Sequence, residues 1–175
     1  AIKPVPLPEG IELSDLSTTS PVQKDAATYC PWRINAIEFE RQEQSRRTQY
    51  LSYVPTDESG VESLSTLSFT FNPRFEELYL NRVEIFDPQG KRVASADRHA
   101  AYLTHERSGV EATDEVTLNV PVPGLRPGYR LEAVVTTRDR APSTEFPYQF
   151  HLFGSSNPEG YNVLFIQGDV EHVKW

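Results

Sequence analysis

The chain has 175 residues, 38% hydrophobic and 11% aromatic, with a formal net charge of −8 and a single cysteine. That length suits one domain, or one domain with an ordered extension, and it needs no disulfide or metal staple because a chain of this size buries roughly 70% of its unfolded surface. The acidic balance argues against nucleic acid, whose binding is driven by Lys and Arg neutralising phosphates, and against an anionic membrane surface.

Residues 1 to 30 stand apart from the rest. AIKPVPLPEG places Pro4, Pro6 and Pro8 at alternate positions, which favours extended chain over helix or ladder strand. LSDLSTTSPVQKDAAT follows, rich in Ser and Thr and without a clear period. This stretch reads as an irregular N-terminal extension lying along the surface of a β-domain that occupies 31–175. The start at AIKPVPLPEG and the end at VEHVKW suggest a piece of a longer protein, with a signal peptide removed or the start lying inside a larger polypeptide. No run of about 18 apolar residues occurs, so no membrane insertion is expected within these residues.

From Trp32 onward short strands recur. In INAIEF, Ile37 and Phe39 share one side, with Glu38 on the other. TQYLSYV is β-branched and aromatic, PTDESG reads as a loop, and LSTLSFTF aligns Leu67, Phe69 and Phe71 on one face. Such alternation means a sheet buried on one side and wet on the other, hence antiparallel. Asn72-Pro73 stops that strand, because proline offers no ladder N–H. RFEEL is one helical turn or an irregular corner. In LYLNRVEIF the alternation slips, since Leu78 and Leu80 have the opposite parity to Val83 and Ile85. A β-bulge near Asn81-Arg82 puts all four on one side. Asp87-Pro88-Gln89-Gly90 is a turn with a reason at every position, and KRVAS starts the return strand.

Residues 97 to 114 read as a polar connection. DEVTLNVPV then points Val116, Leu118 and Val120 inward, and PVPGLRPG is a loop. YRLEAVVTTRD aligns Leu131, Ala133 and Val135, FPYQFHLF alternates aromatic and polar residues, and NVLFIQ is the last clear strand. With about nine strands and no long helix, the expected fold class is all-β, an antiparallel two-sheet β-sandwich.

A search for chemistry identifies no catalytic residue, no metal ligand set and no cofactor site. Cys30 sits in TYCPWRI, where nothing lowers a thiol pKa, and reads as a structural thiol. His99, His105, His151 and His172 lack metal-ligand spacing, and HERSG at His105 misses the second His of a zinc helix. Glycine-rich phosphate loops are absent. Arg126, Arg130, Arg138 and Arg140 cluster around one strand, interleaved with Glu132 and Asp139, which fits surface ion pairing and leaves an anionic partner open. Tyr50, Tyr53, Tyr79, Tyr148 and Tyr161 could form a platform for sugar rings or a partner. The candidate binding residues are Tyr79, Tyr148, Arg130 and Glu132. One functional reading is an interaction domain. The alternative is a module binding carbohydrate or cell-envelope material.

FNPRFEELYLNRVEIFDPQGKRV resembles the strand, turn and strand of the bacterial family named domain of unknown function 3857. VPVPGLRPGYRLEAVVTTRD is similar to that family's next element through Pro123, Gly124, Leu125, Gly128, Leu131 and Glu132, and FPYQFHLF and NVLFI fall where it has its late strands. The likeness runs from Ile34 to Ile166. It implies an exported, noncatalytic β-domain, periplasmic or extracellular, standing N-terminal to a transglutaminase-like domain. The catalytic Cys, His and Asp would belong to that neighbour, and the partner would be that domain of the same polypeptide or another protein.

Overall fold

The computed structural model describes residues 2–13, 16, 26–108, 111–148 and 159–172. Its strands are β1 (Thr28–Phe39), β2 (Arg46–Pro55), β3 (Thr66–Phe71), β4 (Glu76–Phe86), β5 (Arg92–Ser95), β6 (Tyr102–Ser108), β7 (Glu111–Pro121), β8 (Arg130–Asp139) and β9 (Glu159–Gly168). They form two sheets, a six-stranded one of order β5-β4-β8-β2-β1-β9 and a three-stranded one of order β3-β7-β6. The expected all-β, two-sheet architecture is therefore present. The inter-sheet core is built by Leu51, Val83, Ile85, Leu131, Ala133 and Val135 from the large sheet and by Leu67, Phe69 and Val120 from the small one. These are the alternate positions on each strand, so burying this face fixes the register of both sheets.

The strands differ from expectation in three places. The large sheet is mixed, because β9 runs parallel to β1, with Ile34 opposite Val163 and Phe39 opposite Gly168. A parallel neighbour cannot be reached through a tight hairpin and needs a longer connection. The polar connection at 97–114 holds strand β6, paired to β7 with Tyr102 opposite Asn119. Its sequence hid it because it is an edge strand, with Tyr102 52% and Leu103 56% exposed. Conversely, residues 146–148 of FPYQFHLF are not in a strand, and the rest of that stretch, His151 included, lies outside the described residues. A smaller difference is helix α1 (Glu58–Ser63) inside the expected loop, capped by Asp57, whose carboxylate accepts from the Gly60 N–H at 2.8 Å.

The slip in β4 is a bulge. Leu80 lies opposite Val135 and Arg82 opposite Val134, which leaves Asn81 as the extra residue. As a result Leu78 and Leu80 pack against the same core as Val83 and Ile85. RFEEL makes a single tight turn, with the Glu76 N–H bonded to the Asn72 carbonyl at 2.8 Å. In the hairpin turn, Asp87 Oδ1 accepts from the N–H groups of Gln89 at 3.0 Å and Lys91 at 2.9 Å, and Gly90 has φ +82°. Gly90→Val forces a β-branched side chain into that left-handed conformation, so thermal unfolding should show a loss of about 1 kcal/mol or more. An unchanged midpoint would contradict a glycine-requiring turn.

The outer face of the large sheet is not wet. Trp32, Ile34, Ala36, Tyr50 and Val134 form a second apolar cluster there, and the N-terminal segment covers it with Val5 and Leu7, with Leu13 and Leu16 alongside. This covering explains why Val134, on the outer face of β8, is buried as well as the residues of its inner face. Side-chain bonds anchor the segment. The Val5 N–H donates to Thr48 Oγ1 at 2.8 Å and the Tyr50 hydroxyl to the Val5 carbonyl at 2.7 Å. Asn81 Nδ2 donates to the Ile2 carbonyl at 2.9 Å and an Arg46 guanidinium nitrogen to the Lys3 carbonyl at 3.2 Å.

Candidate functional site

A cleft of about 560 Å³ opens where the two sheets part. Its walls are the end of β3 with the turn after it (Thr70 to Glu76), Glu115 of β7, and the segment from Asp139 to Tyr148. The turn is held in place by Arg140, whose N–H bonds the Phe75 carbonyl and whose Nε bonds the Pro73 carbonyl, both at 2.8 Å. That bracing holds the Phe75 ring out at the mouth, 61% exposed, with the Arg74 guanidinium over it at 5.7 Å. Tyr148 is part of an aromatic stack, edge-on to Phe146 at 5.6 Å, which is edge-on to Phe39 at 5.6 Å. Arg47 lies over the Tyr148 ring at 5.3 Å. A large flat apolar side chain with a polar tip suits such a position, at the boundary of core and solvent.

Asp139 is the electrostatic centre of the cleft. It pairs across the ladder with Glu76 and accepts a hydrogen bond from the Tyr148 hydroxyl at 3.1 Å. Burial raises its carboxyl pKa, and the Glu76 charge adds to the rise, against the opposing Tyr148 bond and Arg47 charge. Burial likewise raises the Tyr148 phenol, as does the neighbouring Asp139, so Tyr148 remains a hydrogen-bond donor at any ordinary pH. Taken together the cleft offers acidic acceptors, an apolar ring at the mouth and a rim arginine. It suits a side chain that carries a cation or hydroxyl on an apolar stem.

Asp139 also sets a pH dependence. A carboxyl whose pKa is higher folded than unfolded contributes stability that is fully present below the unfolded pKa and is lost as pH rises through the folded value. The neutral variant Asp139→Asn escapes that loss. Its thermal midpoint relative to wild type should rise from pH 4 to pH 7, and a flat or falling difference would refute the direction assigned to Asp139.

The other candidates lie elsewhere. Arg130 and Glu132 are brought together on β8, with Arg130 Nε donating to Glu132 Oε1 at 2.9 Å and stacking over Phe86 at 5.1 Å, while Arg82 lies 3.7 Å from the nearly buried Glu132. Tyr79 is several residues along the same face, where its hydroxyl donates to Glu77 Oε2 at 2.5 Å. Arg138 and Arg140 close on the same carboxylate, at 2.5 and 3.0 Å. These bonds hold the Glu77 carboxyl below its usual range, the Tyr79 and Arg138 bonds foremost. The arginine cluster is thus largely consumed by ion pairs, as Arg126, the remaining member, stacks over Tyr129 at 6.0 Å. Tyr50 is buried under the N-terminal segment, and Tyr53 packs against the inter-sheet core. The tyrosines therefore do not share one exposed strip. Cys30 is buried, with its thiol donating to the Trp32 carbonyl at 3.3 Å. Among the described residues no group of three His, Cys, Asp or Glu side chains is placed to hold a metal. Among the described residues, too, no helix is long and apolar enough to cross a membrane.

Sequence reasoning named Tyr148 as a candidate binding residue but not Asp139, Glu76, Glu115 or Phe75, which line the same cleft. The available signal was weak, two acidic residues at strand ends that become opposite only once the β4–β8 register is known.

The profile of the family described as Domain of Unknown Function with solved-structure structure (DUF3857) matches residues 41–172. No curated protein matches the sequence. Among solved structures, a Parabacteroides distasonis ATCC 8503 protein provisionally described as a protease superposes with a TM-score of 0.59 at 13% identity, over 69% of this chain and 24% of its own. The CBM3a-L domain from the scaffoldin of the Clostridium thermocellum cellulosome gives 0.36 at 9% identity, over 76% and 81%. A mutant M1 zinc metallopeptidase from Deinococcus radiodurans gives 0.31 at 13% identity, over 77% and 25%. The first shares the fold, and this chain spans about a quarter of its length. The other two are too loosely alike to bear on it.

Proposed function

The chain belongs to the family described as Domain of Unknown Function with solved-structure structure (DUF3857), and from that premise we propose that it is a noncatalytic interaction domain of a larger, exported bacterial polypeptide. Its work is to position or cover a neighbouring domain, which we take to be transglutaminase-like and to follow it in the chain, in the periplasm or outside the cell. The observation that carries this reading is the shared fold in a protein more than four times longer than the matched part, in which this β-domain is a minor fraction of the chain. Fold alone does not assign function. The cleft supports the reading through its exposed Phe75, since aromatic anchors beside braced polar groups are the usual core of a protein interface.

The test is the two-domain polypeptide against the isolated chain. Phe75→Asp, at an exposed position, should leave the chain's own unfolding midpoint nearly unchanged. In the longer protein it should uncouple the two unfolding transitions and weaken binding between separately produced halves by tenfold or more. Equal coupling in wild type and variant would sink the role given to the cleft. Turnover of substrate by the isolated chain would sink the noncatalytic assignment.

A further inference from the structure

The N-terminal segment is held in a way that differs from an added strand. Pro4, Pro6 and Pro8 have no N–H to give a ladder, and the segment lies on the face of the sheet rather than at its edge. Its backbone is read by side chains. Tyr50, Asn81 and Arg46 donate to the carbonyls of Val5, Ile2 and Lys3, while Thr48 accepts from the Val5 N–H. The side chain of Val5 is 1% exposed and sits among Trp32, Ile34, Ala36, Tyr50 and Val134. Leu7 is half-buried two residues on, whereas Pro6 and Pro8 face solvent.

The groups beneath Val5 form one directed chain of hydrogen bonds. Thr136 Oγ1 donates to Asn81 Oδ1 at 2.7 Å and lies 2.8 Å from Thr48 Oγ1. A hydroxyl has one proton, so Thr48 must donate to Thr136. The sequence is then Val5 N–H to Thr48, Thr48 to Thr136, Thr136 to Asn81, and Asn81 Nδ2 back to the Ile2 carbonyl. The sheet presents an acceptor for one backbone N–H, donors for three backbone carbonyls, and an aromatic-walled apolar socket between them. Aromatic-lined grooves of this kind favour preformed, proline-stiffened chains, because little conformational entropy is left to lose on binding.

We propose that this face is a binding groove for extended, proline-alternating segments with a β-branched residue between two prolines. Residues 2–8 fill it in cis, and a like segment of another polypeptide fills it in trans when the cis segment is displaced. The groove is independent of the cleft and of the role given to it.

The test uses the full chain carrying Val5→Asp, which places a carboxylate in the socket, and the synthetic peptide AIKPVPLPEG as probe. Calorimetric titration should show saturable 1:1 binding to the variant and none to wild type at the same concentrations. Binding should fall at least tenfold when the peptide itself carries the Val-to-Asp change, or when the protein also carries Asn81→Leu. A cooperatively folded variant that ignores the peptide overturns the proposal, as does equal binding to wild type or equal binding of the altered peptide. If Val5→Asp abolishes the cooperative unfolding transition, excess wild-type peptide should restore it, and failure to restore it also overturns the proposal.

Discussion

Trp32→Ala is expected to lower the unfolding free energy by about 3–5 kcal/mol, the cost of removing a large buried aromatic whose surroundings relax only in part. Trp32 is fully buried on the outer face of β1, and the cluster around it draws on its own strand, on β2, β8 and β9, and on the N-terminal segment through Val5. The void therefore opens directly under that segment. Chemical denaturation should show the midpoint falling with little change in slope. Hydrogen exchange at the Val5 amide should accelerate more than at the amides of β8 residues facing the inter-sheet core, because local opening precedes global unfolding where contacts are fewest. Trp32→Phe keeps most of the volume and should cost clearly less. A loss below about 1 kcal/mol for the alanine variant would mean that the outer cluster contributes far less than its burial implies.

Gly168→Ala should be the costliest single-methyl change at a turn, about 2–6 kcal/mol, from two separate penalties of about 1–3 kcal/mol each. The residue has φ +98°, where an L side chain is strained, and a Cβ there would stand 2.1 Å from the Phe39 carbonyl oxygen and 2.9 Å from Glu40 Oε1. That carbonyl already accepts the Asp169 N–H at 2.8 Å, and Asp169 Oδ2 in turn accepts the Arg41 N–H at 2.9 Å. The corner that fastens β9 to the end of β1 has no room to yield. Gly90→Ala is the control, since φ is +82° there but nothing lies within 4 Å of the added carbon. It should carry the conformational penalty alone. Equal losses at the two positions, measured by denaturant titration, would show that the close approach to Phe39 relaxes at no cost.

Much of the architecture was legible because it rests on local rules. Parity placed Leu67 and Phe69, Val116 and Val120, and Leu131, Ala133 and Val135 in the core where they are found. The broken parity around Asn81 announced the bulge, and Asp87 to Gly90 announced the turn. What escaped depended on distant partners. The prolines foretold an extended N-terminal segment, but the reason that Val5 is buried lies at Thr48 and Tyr50, more than forty positions away in the sequence. The parallel setting of β9 cannot be read from its residues, which serve either direction equally well. β6 was missed because an exposed edge strand needs no apolar face. The cleft was only half legible. Tyr148 was recognisable as a candidate from its type, while Asp139 became central through burial and through the register that sets Glu76 opposite it.

The extra residue at position 81 also acts as a frame marker for the chain's length. A substitution there is read locally, by Thr136 and the Ile2 carbonyl. A deletion would instead be read along the whole first half of β4, turning Leu78 and Leu80 toward the outer face and Glu77 and Tyr79 toward the core. The strand can thus exchange the identity of this residue far more readily than it can lose it. Relatives that lack a residue here would need a compensating insertion between Leu80 and Val83 to keep the same core.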